Sequence, residues 1–129
     1  MAWTYAQDSG KILDSTGKLL ATGYSGNGMG LNNPALEDIH NIGPIPCGEY
    51  HMQSPLDTAR HGPYAIALVP TSSTDTHGRS DFMIHGDEIA HVGQHLASEG
   101  CIILAHADRV AIWESGDHDL EVVASVTIV

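Results

Sequence analysis

The apolar stretches of this chain are short, and nearly every one is cut off by glycine, proline or a polar turn. AWTYAQ and KILD alternate apolar with polar side chains, and Ser15-Thr16-Gly17 then turns the chain into KLLATGY. EYHMQS, YAIALVP and DFMIH follow, and DLEVVASVTIV closes the sequence. Alternation at these lengths, with β-branched and aromatic content, predicts strands. YAIALV is apolar enough on both faces to lie centrally in a sheet. Only HADRVAIWES reads as a helix, with Val110 and Trp113 three apart and Gly116 placed where a helix ends. Asn33-Pro34 predicts a short helical turn through Ile39. The fold class is therefore mainly β with minor α. With no linker, repeat or low-complexity tail, a single domain over residues 1–129 is expected, long enough to bury a core without disulfide or metal staples.

Charge narrows the partners. Five Lys+Arg against 16 Asp+Glu give a net charge of −11 with histidine neutral. Phosphate backbones are bound by clustered Lys and Arg, which this chain lacks, so nucleic acid and anionic membrane surfaces are not expected as partners. No apolar run approaches the roughly 20 residues that span a bilayer, so membrane insertion is not expected. The first residues carry no basic segment followed by an apolar one, so no Sec signal is read there. The loop YSGNGMG has no strand-to-helix context and no lysine, which argues against a phosphate loop.

The chemistry concentrates in residues 82–104, FMIHGDEIAHVGQHLASEGCIIL. His85 ends an apolar run, and sixteen residues later Cys101 follows Ser98-Glu99-Gly100 and precedes Ile102-Ile103-Leu104. A thiol ionises only near pH ~8.5, so a nucleophilic cysteine needs a neighbouring base, and imidazole is a suitable one. The base needs its second ring nitrogen held, and the reaction needs N–H groups aimed at the developing oxyanion. A glycine beside the nucleophile lets a substrate carbonyl approach the backbone. Two other readings use the same residues. His91, His95, Asp87 and Cys101 could assemble a zinc site, although the helix that would align the two histidines is interrupted by Gly93. Alternatively, Cys101 could pair with Cys47 in a disulfide, which would abolish the nucleophile. His40, His51, His61, His77, His106 and His118 are scattered and are expected at the surface.

I-H-G, a glycine-containing connection and [S/T]-x-G-C before two apolar residues together resemble the signature of the YkuD-type L,D-transpeptidases. Further motifs narrow the likeness: Ala21 to Gly28, Leu31-Asn32-Asn33-Pro34, Gly43-Pro44-Ile45-Pro46, Gly62-Pro63-Tyr64, Gly78-Arg79-Ser80 and Ile84-His85-Gly86-Asp87. In this order they resemble the L,D-transpeptidase effectors of type VI secretion, over most of the chain. The resemblance implies a YkuD-like catalytic fold, a mixed sheet or sandwich with one helix packed after the cysteine strand. It implies a Cys101 nucleophile and His85 base acting on peptidoglycan tetrapeptide stems through a thioester. Exchange with D-amino acids or L,D-carboxypeptidase cleavage would then complete the reaction. It also implies synthesis in the cytoplasm, delivery by type VI secretion components into a target cell's periplasm, antibacterial toxicity and a cognate immunity protein.

On this reading the oxyanion and orienting residues are Gly100, Ser98, Gly86 and Asp87, alongside the N–H of Cys101. The substrate-binding residues are Arg79, Tyr24, Ser25 and Asn27. No metal or organic cofactor is implied. The pattern departs from the family at Ile103, where Arg or Asn is usual, so the substrate contact must come from elsewhere and Arg79 is the candidate. It departs again at Glu99, where His is frequent, and Glu99 is expected to face solvent or pair with a cation. The alternatives are a non-catalytic peptidoglycan-binding module and a zinc-dependent amidase or carboxypeptidase.

Overall fold

The computed structural model describes residues 2–87 and 97–127. β1 (Trp3–Ala6) turns Trp3 and Tyr5 inward, and β2 (Lys11–Leu13) returns antiparallel beside it. β3 (Leu19–Thr22) pairs with β2 and is largely exposed, as befits an end strand. On the other side of β1 lies β10 (Asp119–Val123), parallel to it, with Trp3 opposite Leu120 and Tyr5 opposite Val122. β5 (Gly48–Met52) pairs with β10, and β7 (Gly62–Pro70) with β5. β8 (Met83–His85) follows, then β9 (Ile102–Ile103) parallel to β8, then β4 (Tyr24–Ser25) antiparallel to β9. The mainly β, mixed-sheet expectation holds, with YAIALVP between β5 and β8 as its two-sided apolar character requires.

β3 and β4 stand at opposite ends of this strand order, yet only Gly23 separates them in the chain. The sheet therefore curls back on itself at that residue. Glycine is required there, since a Cβ would lie 1.9 Å from the Ile103 carbonyl oxygen. The Gly23 N–H donates to the Gly10 carbonyl at 2.7 Å, joining the β1–β2 turn to the crossing point.

Three elements differ from the sequence expectation. β6 (Leu56–Thr58) pairs with β7 and was not anticipated, because three mostly exposed residues carry no alternation to read. The closing strand ends at Val123, because its partner β1 ends at Ala6 and the chain then turns away. The turn after Asn33 is one 3-10 turn over Pro34–Leu36, capped by the Asn33 side chain accepting from the Ala35 N–H.

The helix α1 (His106–Glu114) follows β9, packs against β7 and β8, and is followed by Gly116 at φ +82°. Tyr5, Ile12, Ile45, Tyr50, Ile66, Ile84, Ile102 and Ile112 form a core with almost no exposure. Burying each such aliphatic side chain stabilises the fold by ~1.5–3 kcal/mol. Among the described residues no helix is long and apolar enough to cross a membrane.

Candidate active site

β8 and β9 run side by side and parallel, with Ile84 opposite Ile102 and His85 opposite Ile103. Ile84 and Ile102 point into the core and are fully buried. Side chains alternate along a strand, so His85 and Cys101 both turn to the other face. Both line a cleft of about 1450 Å³ on that face. The parallel pairing of two short strands thus brings together residues sixteen apart in sequence.

His85 is almost entirely buried, and its Nδ1 lies 2.8 Å from the Gly86 carbonyl oxygen. A carbonyl only accepts, so Nδ1 carries the proton and Nε2 is the bare, basic nitrogen. Nε2 is buried with no hydrogen-bond partner among the described residues. Burial pushes the His85 pKa down to about 4; the Gly86 carbonyl opposes this, while His61, Arg109 and Arg60 add to it. The imidazole is neutral at neutral pH.

The Cys101 Sγ lies 3.6 Å from the Asp81 carbonyl oxygen. Burial pushes its pKa up to about 11; the Met83 backbone and Arg60 oppose this, and the Glu99 and Asp81 carboxylates reinforce it. The cleft thus holds a neutral thiol and a neutral imidazole at rest. Both cysteines are free, and the Cys47 thiol donates to Gln7 Oε1 at 3.2 Å, so the Cys47–Cys101 disulfide is not formed. The His91 and His95 of the zinc reading lie outside the described residues.

The turn that presents Cys101 is built around Ser98. Its hydroxyl accepts from the N–H groups of Gly26 (2.9 Å) and Gly100 (3.1 Å) and donates to the Cys101 carbonyl (2.5 Å). One donor and two acceptor sites are thereby all used. This corrects the assignment of Gly100 as an oxyanion donor, because its N–H is engaged by Ser98. Gly100 has another reason to be glycine: φ is +134°, and a Cβ would meet the Arg79 Nη2 at 2.4 Å. Ser98 shapes the turn from below and does not line the cleft.

Three expected substrate contacts also require correction. Arg79 is buried, and its guanidinium donates to the carbonyls of Glu37 (2.5 Å), Pro44 (2.8 Å), Gly43 (2.9 Å) and Glu99 (3.1 Å). Its fork is consumed by the scaffold, leaving none for a substrate carboxylate. Ser25 is fully buried; its hydroxyl accepts from the Ile45 N–H and donates to the Gly100 carbonyl. Asn27 donates through Nδ2 to the carbonyls of Asn41 and Ser98. All three brace the cysteine turn. Tyr24 does line the cleft, and its hydroxyl donates to Asp87 Oδ1 at 2.6 Å and accepts from the Ala97 N–H. Asp87 therefore engages Tyr24, and the orienting contact on His85 comes from the Gly86 carbonyl.

Sequence reasoning missed the hairpin turn between β6 and β7. His61, expected at the surface, is stacked on His85, and Arg60 beside it lines the same cleft. Arg109 of α1 holds this hairpin in place, donating to the carbonyls of Pro63 and Tyr64 (both 3.0 Å) and to that of Leu104 (2.6 Å). The motif Gly62-Pro63-Tyr64 was the available signal, since it directly follows these two residues. Glu99 faces solvent, with Oε1 3.6 Å from the Arg60 guanidinium, as its position demands.

Neither a curated protein nor a solved structure matches the chain. The Tlde1 domain matches it over residues 20–127, from β3 to beyond the last strand, and so takes in every residue of the site. With Cys101 and His85 on one face of the paired β8 and β9, the chain belongs to the Tlde1 domain family, a type VI secretion effector domain of the L,D-transpeptidase kind.

Proposed function

We propose that the chain is a cysteine-dependent enzyme acting on the tetrapeptide stem of peptidoglycan, delivered as an antibacterial effector into the periplasm of a target cell. One observation carries the reading. The Gly86 carbonyl holds His85 Nδ1, which leaves Nε2 as the basic nitrogen with no hydrogen-bond partner among the described residues, and His85 and Cys101 line one cleft. Lining one cleft supports proton transfer between the two once substrate draws them together, since catalytic hydrogen bonds tighten in the complex.

Cys101 Sγ attacks the carbonyl carbon of the L-centred residue that precedes the terminal D-alanine, and His85 Nε2 takes the thiol proton. The oxyanion is held by the Cys101 N–H. As the tetrahedral adduct collapses, the peptide C–N bond breaks and the D-alanine amine leaves with the proton from His85. A thioester remains on Cys101. Water, or the amine of a free D-amino acid, gives a proton to His85 and attacks the thioester. The products are a tripeptide in the first case and an exchanged tetrapeptide in the second, and Cys101 recovers its proton. An immunity protein of the producing cell would oppose this activity.

The test is mass spectrometry of tetrapeptide muropeptides incubated with the protein, with and without a D-amino acid. Loss of D-alanine or its exchange, absent in Cys101→Ala and His85→Ala, is expected. Equal product from the Cys101→Ala protein would eliminate the cysteine mechanism.

A further inference from the structure

The cleft lacks the basic residue that the sequence reading assigned to it, and the structure supplies another. We propose that Arg60 is the residue that binds a substrate carboxylate in this cleft, exchanging its contact with Glu99 for one with the stem peptide. This rests on the reading of the cleft as a peptidoglycan-stem site.

All five basic residues of the chain are described, and four are accounted for elsewhere. Arg79 and Arg109 are buried and spend their guanidinium groups on backbone carbonyls. Lys11 and Lys18 belong to the β2–β3 hairpin and do not line the cleft. Arg60 lines the cleft with its side chain 75% exposed, so its guanidinium can reach an incoming group.

Its partner is weak. Glu99 Oε1 is 3.6 Å away, beyond hydrogen-bond length, and its own side chain is 58% exposed. Such a pair holds little and is readily exchanged. A stem carboxylate can approach in the bidentate geometry that the guanidinium favours, which Glu99 does not reach.

Charge makes a cation here necessary. The protein carries a net −11, and Asp81, Asp87 and Glu99 all line the cleft. Stem peptides are themselves anionic and would be repelled unless a local positive group faced them. The position is suitable as well. Arg60 belongs to the hairpin turn that lays His61 on His85, and its charge acts on both Cys101 and His85. A carboxylate held there lies beside the reacting centre. It also answers the departure at Ile103, which is buried and apolar and offers no polar contact.

The test separates binding from turnover. Calorimetric titration of the Cys101→Ala protein with a tetrapeptide stem bearing a free C-terminal carboxylate, and with its amide, should show tighter binding of the acid. Arg60→Gln in that background should weaken the acid by roughly tenfold to a hundredfold and leave the amide unchanged. Arg60→Lys should restore part of the difference. Equal binding of acid and amide, equal loss for both in Arg60→Gln, or no binding of either would overturn the proposal. Turnover by the unsubstituted chain is measured alongside. Cleavage with a KM unchanged in Arg60→Gln removes this inference alone, whereas no cleavage at all removes the reading beneath it.

Discussion

His61 lies against His85 with ring centroids 4.1 Å apart and planes 27° from parallel. His61 comes from the β6–β7 hairpin and His85 from the end of β8, and Arg109 ties that hairpin to Leu104, just after β9. The stack walls one face of the imidazole while the Gly86 carbonyl holds its edge. Burial, with Arg60 beside it, keeps the His61 pKa below the usual imidazole value, so at neutral pH the two rings meet without charge repulsion.

His61→Ala should therefore lower kcat by about tenfold, because His85 gains rotamer freedom and solvent. His61→Phe, which keeps the stack without a titrating group, should recover most of it. Steady-state kinetics on tetrapeptide stems decide the matter, and equal activity of the Ala and Phe variants would deny the stack any role.

The thiol and the imidazole are both neutral at rest, with His85 held down to about 4 and Cys101 pushed up to about 11. A base must be unprotonated to act, so activity should persist on the acid side until pH falls toward the His85 value. Alkylation of Cys101 by iodoacetamide should climb steadily from pH 7 to 10 instead of levelling near neutrality. Cys47, pushed up to about 12 by burial and by the Glu37 carboxylate, should react more slowly throughout. A plateau in Cys101 labelling below pH 7 would reveal a preformed thiolate and contradict the neutral pair.

Arg79 has no surface role to lose. Replacing it with Met leaves four carbonyls without their donor, two of them buried, and Gly43, Pro44 and Glu99 lose the tie to one another. A loss of ~2–4 kcal/mol in unfolding free energy is expected. Urea denaturation followed by tryptophan fluorescence measures it; an unfolding free energy lowered by less than a tenth of that would show the clamp to be dispensable.

Ser98→Ala removes the hydroxyl that two N–H groups and one carbonyl share beneath Cys101. Stability should fall by ~1–3 kcal/mol, with kcat reduced more than KM is raised, because the turn and not the substrate surface is disturbed. Ser98→Thr, which keeps the hydroxyl, is the comparison; failure of Thr to recover any activity would argue for a purely steric effect.

Glu37 and His77 give a pH window for stability. Burial pushes the Glu37 pKa up, but hydrogen bonds from Gln7, His77 and Cys47 outweigh it and hold the carboxyl below its usual value. The hydrogen bond to Glu37 raises His77, with desolvation opposing it. A lowered acid stabilises above its unfolded pKa of about 4.3 and loses this as pH falls through the folded value. A raised histidine stabilises below about 6.5 and loses this as pH rises through its folded value. Melting temperature should peak between about pH 5 and 6, and Glu37→Gln should flatten the peak. An unchanged profile in that variant would place the pH dependence elsewhere.

The sequence by itself determined most of the strands and the helix, and it singled out Cys101 and His85 as the pair proposed for the chemistry. Apolar alternation in AWTYAQ and KILD, the two-sided apolar run YAIALVP and the Gly116 stop are local signals, and local backbone preference decides them. β6 escaped because an exposed edge pairing leaves no hydrophobic period. Which polar residues face the cleft was a different matter, because that depends on partners distant in the chain. Arg79, Ser25 and Asn27 look like binding residues in a motif, yet each is turned inward to carbonyls and N–H groups that only the folded connector and cysteine turn supply. A buried donor must find its acceptor, and that demand fixed their direction. His61 looked like a surface residue, and only the pairing of β6 with β7 and the clamp from Arg109 carried it to His85.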